Sequence, residues 1–271
     1  MTTLILKTEP AVPLEAEKIA PDHFLGKTAS EIAALPLLYG NEAVPLGEFF
    51  SVSGNGSAEI TIEGDLKRVK WIGARMTQGR IIIRGDVGMH LGSGMRGGEI
   101  VVHGNVGDWA GAEMAGGLIQ IHGNAGHGLG GAYRGSPRGM NRGLIVVTGN
   151  AGNEVGAAMR RGVIAVGGEI GEFAGAFMIA GNIFVFGRLG ARAGAGMKWG
   201  SIIALGEVAE LLPTFRYSCR YQPVFLRPYL RMLANFGLPI VDAHLSGHYR
   251  RYCGDLASLG KGEVLVYDQR Q

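Results

Sequence analysis

GDVGMHLGSGMRGGEIVVH, residues 85–103, is followed directly by GNVGDWAGAEMAGGLIQIH, residues 104–122, and the phrase begins again at Gly123. Its opening glycines are Gly64, Gly85, Gly104, Gly123, Gly149, Gly168, Gly187 and Gly206, at spacings of 21, 19, 19, 26, 19, 19 and 19 residues. A methionine marks one phase of each copy: Met76, Met95, Met114, Met140, Met159, Met178 and Met197. An isoleucine marks another: Ile60, Ile81, Ile100, Ile119, Ile145, Ile164, Ile183 and Ile202. A fixed period of this length, kept in register over so many copies, is the signature of a repeat architecture.

Counting from the first glycine of a copy, the apolar positions are 3, 7, 11, 16 and 18. Positions 16 and 18 flank one intervening residue, as Ile100 and Val102 flank Val101, which is the period of a strand. Glycines at positions 1, 4, 8 and 14 are expected to turn the corners between short strands, because glycine reaches positive φ without a steric penalty. A unit of 19 residues cannot enclose a core alone, so it must bury its side chains against its neighbours. The expected fold is all-β: a right-handed β-helix, or solenoid, of about 19 residues per coil. Each coil should rise about 4.8 Å, the spacing of paired strands. The period is not a multiple of six, which sets it apart from left-handed hexapeptide helices. The isoleucine, valine and methionine columns are read as core.

Three regions follow: an N-terminal arm or cap at 1–57, the repeats at 58–208, and a C-terminal cap and interface arm at 209–271. The first arm is proline-rich and predicts a short helix from Thr28 to Leu35. The last arm loses the repeat and gains aromatics, with an amphipathic helix predicted over Val224 to Phe236 and stopped by Gly237. Both arms suit the covering of open coil ends, and the aromatic and arginine mix of the second also suits a protein interface.

Composition bounds the function. Net charge is +3, with −4 on residues 1–57 and +7 on the remainder, too weak and mixed for a nucleic-acid binder. Cys219 and Cys253 form no close pair and no metal-ligand spacing, which fits a reducing cytoplasm. The first residues lack a signal-peptide layout, and the most apolar stretch, Phe173 to Phe186, is too short to span a bilayer. A cytoplasmic protein without membrane contact is expected.

No catalytic or metal-ligating constellation emerges. Gly92 to Gly97 matches GxGxxG, but the 19-residue period already accounts for its glycines. His103 and His122 share one phase and should stack about 5 Å apart as an outward pair. His244 and His248 are four residues apart, yet Gly247 argues against a helix there, and they are read as structural. Asp65, Asp86, Asn105, Asn124 and Asn150 at position 2 are turn residues.

One irregularity stands out. Between Gly123 and Gly149 the unit gains seven residues, all before Met140, in HGLGGAYRGSPRGMNRG. Insertions in a repeat map to loops on one face, often the binding face. This one brings Tyr133, Arg134, Arg138 and Arg142, and the next copy adds Arg160 and Arg161 at the phase of Asn141 and Arg142. From His127 to Arg161 five arginines face a single acid, Glu154. Clustered guanidinium groups suit an anion site or an interface as well as a solvated face.

The G-xx-G-xxx-G spacing of Gly85, Gly88 and Gly92, and of Gly104, Gly107 and Gly111, resembles the repeat of the C-terminal domain of glutamate synthase. It also resembles the C subunit of formylmethanofuran dehydrogenase. The latter match reaches nearly the whole chain, through AVPLEAE at 11–17, LPLLYGNEAVPLGEFF at 35–50 and YRGSPRGMNRG at 133–143. The resemblance implies a non-catalytic subunit of a one-carbon, formyl-transfer complex. It implies a hetero-oligomer with formyltransferase, hydrolase and dehydrogenase-like subunits, acting between formyl-tetrahydromethanopterin, a methanofuran-type carrier and formate. Two settings share such a subunit: a bacterial formyltransferase/hydrolase complex, and an archaeal tungsten or molybdenum dehydrogenase. Nineteen arginines against seven lysines suggest a GC-rich genome and tilt the reading to the bacterial one. A free-standing glutamate-synthase-like binding module is the further alternative. The family's carriers are associated with a polyglutamyl tail, which makes Arg134, Arg138, Arg142, Arg160 and Arg161 candidates to hold it.

Overall fold

The computed structural model describes residues 1–268. Among them, one 13-stranded, largely parallel sheet dominates, beside a four-stranded sheet and a few short helices. The strands of eight successive repeats lie side by side, and isoleucine meets isoleucine at every step from Ile60 to Ile202. All eight are fully buried, as are the seven repeat methionines. A second column joins the position-3 residues by parallel bridges: Leu66, Val87, Val106, Ala125, Ala151, Ile170, Leu189 and Val208. Parallel neighbours need a long connection, and here the remainder of each repeat supplies it in place of a helix.

The glycines divide into two kinds, which corrects the expectation that all of them turn corners. Positions 8 and 14 are left-handed, as at Gly92 (φ 60°) and Gly98 (φ 83°). Position 4 is not. A Cβ on Gly107 would lie 3.0 Å from the backbone of Gly88 and Met89 in the preceding repeat. The strand spacing leaves no room there for a side chain, so close approach selects glycine at that phase.

Both arms join the ladder. Thr2–Leu6 pairs in parallel with Glu59–Glu63, setting Leu4 beside Ile62, and Phe50–Ser53 closes that end antiparallel to it. At the other end Gly262–Tyr267 pairs in parallel with Ser201–Ala204, so Val264 extends the isoleucine column beyond Ile202. Tyr249–Gly254 and Arg216–Tyr221 then follow as antiparallel strands.

Both predicted helices form. Ala29–Ala33 starts from a capping box between Thr28 and Glu31. Leu226–Ala234 buries Leu226, Leu230 and Leu233 in one cluster with Val146, Ala165, Phe184 and Ile203, the position-17 residues of four repeats. The outer face of the sheet is therefore apolar where this helix covers it. A short helix over Asp242–Ser246 includes His244, against the sequence expectation, and Gly247 ends it rather than preventing it. The His244 ring packs edge-on against Phe186 and Tyr267, a structural role. No helix among the described residues is long and apolar enough to cross a membrane.

Truncating a central rung tests the ladder. Ile119→Ala should lower the unfolding free energy by about 2–5 kcal/mol, because neighbours on both sides prevent collapse around the void. Gln120→Ala, one residue away on the outer face, should stay within about 0.5 kcal/mol. Urea denaturation of the two variants distinguishes the effects.

Candidate ligand-binding face

The seven-residue insertion leaves the ladder after Gly130 and rejoins it at Met140, whose N–H donates to the Gly130 carbonyl (2.9 Å). Both ends are tied to the following repeat: Ala132 N–H donates to Ala157 O (3.0 Å) and Gly139 N–H to Ala158 O (2.9 Å). Between these ties the chain protrudes, with Arg134 and Arg138 exposed. Arg142 begins the strand Arg142–Val147 opposite Ala115, and is also exposed. The N–H groups of Arg160 (2.8 Å) and Arg161 (3.4 Å) both donate to Met140 O, as Asn141 and Arg142 do to Met114 O. Arg142 and Arg161 thus stand one rung apart, and the Arg138 end of the loop is tied two residues before Arg160.

None of these five arginines has an ion pair or a side-chain hydrogen bond among the described residues. Six arginines elsewhere among the described residues are paired with acids, including Arg80 with Glu99, Arg84 with Glu63, Arg192 with Glu172 and Arg251 with Glu263; what sets these five apart is that they are unpaired and grouped on adjacent rungs. Like charges one rung apart repel by about 1 kcal/mol at 4 Å even in bulk water. A cluster of like charges without an internal counter-charge presents a positive field to anions.

The loop is anchored by a residue that the sequence reading named without a role. Tyr133 Oη lies 2.8 Å from His90 Nδ1 and 2.9 Å from Ser93 Oγ, and Tyr133 N–H donates to Glu113 Oε1 (3.3 Å). Its ring centroid is 5.3 Å from that of Trp109 and 6.1 Å from Trp71, and Trp71 stacks on His90 at 4.2 Å. The signal was in the repeat: position 6 reads His90, Trp109 and then Gly128. A Cβ on Gly128 would lie 2.8 Å from the Trp109 ring, so the glycine makes room for the aromatic cluster. Position 6 keeps φ near 60° even in bulky residues, at His90, Trp109, Glu154, Phe173 and Arg192. The corner is imposed by the fold and is not peculiar to this cluster.

Burial holds the His90 imidazole below its usual 6.5; Lys70 adds to this and Asp108 opposes it. Burial likewise raises the Tyr133 phenol. With the imidazole neutral and Nδ1 accepting from the phenol O–H, the single Ser93 hydroxyl proton is shared between Tyr133 Oη (2.9 Å) and the Ala112 carbonyl (3.4 Å).

The remaining sequence candidates are structural in their surroundings. His103 and His122 stack with centroids 5.0 Å apart and planes 1° from parallel, both exposed. The position-2 side chains form their own column: Asp86 accepts from Asn105 N–H (2.7 Å), Asn105 from Asn124 (2.9 Å), Asn124 from Asn150 (2.8 Å) and Asn150 from Glu169 (2.8 Å). Cys219 and Cys253 are free. Among the described residues no group of three or more His, Cys, Asp or Glu could hold a metal ion.

No protein-family model matches the chain. Over 100 residues it is 46% identical to the C subunit of tungsten-containing formylmethanofuran dehydrogenase 2 from Methanothermobacter marburgensis, which is 34% of this chain and 37% of that protein. Over 91 residues it is 48% identical to the C subunit of molybdenum-containing formylmethanofuran dehydrogenase 1 from Methanothermobacter thermautotrophicus, 33% of this chain and 23% of that one. The alignments thus span little more than a third of these curated relatives at most. A solved chain matches much more fully: 98% of this chain and 100% of that one superpose with a TM-score of 0.92 and 38% identity. That chain comes from the formyltransferase/hydrolase complex (FhcABCD) of Methylorubrum extorquens in complex with methylofuran.

The anchor is expected to respond to pH. Because His90 is depressed when folded, its contribution is complete above the unfolded value of 6.5 and is lost as pH falls below it. NMR titration should give His90 a midpoint below 6.5, with the Nδ1–Tyr133 hydrogen bond reversing direction through the same range as Nδ1 becomes a donor to Oη. A midpoint above 6.5 would contradict the network described.

Proposed function

This chain belongs to the formylmethanofuran dehydrogenase C-subunit family, and on that premise we propose that it is the structural, non-catalytic C subunit of a bacterial formyltransferase/hydrolase complex. The observation that carries the reading is the end-to-end likeness at 38% identity to a chain of such a complex. In this reading the complex moves a formyl group between tetrahydromethanopterin and a methanofuran-type carrier and releases formate, in the cytoplasm. The chemistry belongs to other subunits, which this one holds in place. The repeats at 58–208 act as a right-handed β-helical rod, with 1–57 and 209–271 as capping and contact arms. Two parallel columns per repeat, each stepping by one strand spacing, support the helical closure.

The C subunit of a tungsten or molybdenum dehydrogenase is the second reading. It is favoured by the higher local identity, 46–48%, to the archaeal proteins. Metal analysis separates the two. The complex purified from its native cell should release formate and contain neither tungsten nor molybdenum. Either metal in stoichiometric amount selects the dehydrogenase, and turnover by the purified chain alone refutes the structural role.

Arg134, Arg138, Arg142, Arg160 and Arg161 are proposed to hold the polyglutamyl tail of the carrier. A guanidinium group meets a carboxylate through two parallel N–H donors, so a string of carboxylates fits a string of arginines. One exposed pair contributes about 0–1 kcal/mol, so retention needs several at once. Tyr133 keeps two of the five on a fixed loop, which lowers the ordering cost of binding. Arg138→Glu combined with Arg160→Glu should weaken carrier retention roughly tenfold or more at low salt, and less at high salt, without disturbing assembly. Equal retention by the altered complex at both salt concentrations removes the arginines from this role.

A further inference from the structure

The end of the sheet formed by the C-terminal arm is left open in a way that the N-terminal end is not. At the N-terminal end the edge strand Phe50–Ser53 is four residues long and buries Phe50. At the C-terminal end the edge strand Arg216–Tyr221 is six residues long, and its first five residues are all exposed, Tyr217 by 58%. Only Tyr249–Gly254 pairs with it among the described residues. A register shift at Ser218 bends the strand without covering it. Alternate N–H and C=O groups along its outer side therefore lack a strand partner.

The surroundings state what chemistry fits. Tyr217 faces Tyr252 across the pair, their rings meeting edge-on at 5.8 Å, and Arg220 faces Arg250. Tyr252 and Arg250 alternate along one strand, so all four side chains share one face of this sheet end. That face borders a groove of about 250 Å³ lined by Val208, Leu211, Arg250, Tyr252 and Val266. Two like charges directly opposite each other are unfavourable unless a counter-charge intervenes. Asp268 takes Arg220 (2.7 Å) and Glu263 takes Arg251 (2.7 Å). No carboxylate among the described residues lies within salt-bridge distance of Arg216 or Arg250. A second copy of this strand is a poor occupant, since antiparallel self-pairing about Ser218 sets Arg216 against Arg220 of the other copy.

We propose that the open edge of Arg216–Tyr221 takes an extended, acidic segment of a partner polypeptide as one further strand of the sheet. Main-chain hydrogen bonds supply the pairing, in the manner of strand addition. Carboxylates of the segment meet Arg216 and Arg250, and its apolar side chains lie against Tyr217, Tyr252 and the groove. The proposal rests on the reading that this chain works within an assembly, but not on the arginine loop.

Hydrogen exchange of the native complex and of the isolated full-length chain tests it. Amides of residues 216–221 should exchange at least tenfold more slowly in the complex. Arg216→Glu with Arg250→Glu, both exposed positions, should leave the thermal midpoint of the isolated chain unchanged and lower its affinity for the remaining subunits at least tenfold at low salt. A photo-cross-linker on the exposed Cys219, in a Cys253→Ser background, should capture an acidic segment. Equal exchange in an assembled complex overturns this inference alone and leaves the assembly reading standing. So does capture of a neutral or basic segment, or protection that appears when the isolated chain is merely concentrated, which marks a second copy. A chain that enters no complex overturns both.

Discussion

Every repeat in this protein is bound to the next by parallel strand pairing at a single spacing, about 4.8 Å. That separation is smaller than most side chains are wide. Whatever stands at a given phase must be tolerated directly above and below copies of itself. Isoleucine tolerates this because it buries its own kind without a polar residue to satisfy, and so it recurs from Ile60 to Ile202. Glycine recurs at position 4 for the opposite reason: a Cβ at Gly107 would intrude on the backbone of the repeat before it. Asparagine and aspartate recur at position 2 because a side-chain oxygen placed there reaches the next repeat's N–H, as Asn105 does for Asn124. One spacing thus selects an apolar column, a bare column and a polar column together.

The same constraint explains which parts of the molecule could be read from the chain. The isoleucine register, the stacked His103 and His122, the capping box at Thr28 and the helix near Leu230 all follow from local patterns or from the period. What escaped was aperiodic. The strand Gly262–Tyr267 carries Val264 as one more rung and Gly262 at the position-14 phase, but no opening glycine and no methionine mark its copy. The apolar outer face at Val146, Phe184 and Ile203 reads locally as a strand feature, and only folding sets on it a helix from far along the chain. Tyr133 was visible as part of an insertion. Its partners, His90 and Ser93, lie about forty residues earlier and meet it only because the intervening repeats fold back into register.

The arginine face follows this division. Arg160 and Arg161 could be aligned with Asn141 and Arg142 by counting, and their bonds to Met140 O agree with that count. Counting could not reveal that all five arginines lack internal partners, because pairing depends on which acids the neighbouring repeats bring near. Nor could it reveal that the loop bearing two of them is fastened by a neutral imidazole. The electropositive character of the face depends on both.

The helix Leu226–Ala234 shares one apolar cluster with the outer residues of four repeats. In a simple stack each unit knows only its neighbours, and disorder can begin at one end and travel inward a rung at a time. A strap held in one cluster with four rungs opposes this in the C-terminal half, because freeing one rung there disturbs packing that the helix shares with the others. The N-terminal repeats, whose outer residues such as Ile82 and Gln120 have no such cover, keep the gradual behaviour. The ladder is therefore two materials end to end: a half that can fray, and a half that gives way more nearly as a block.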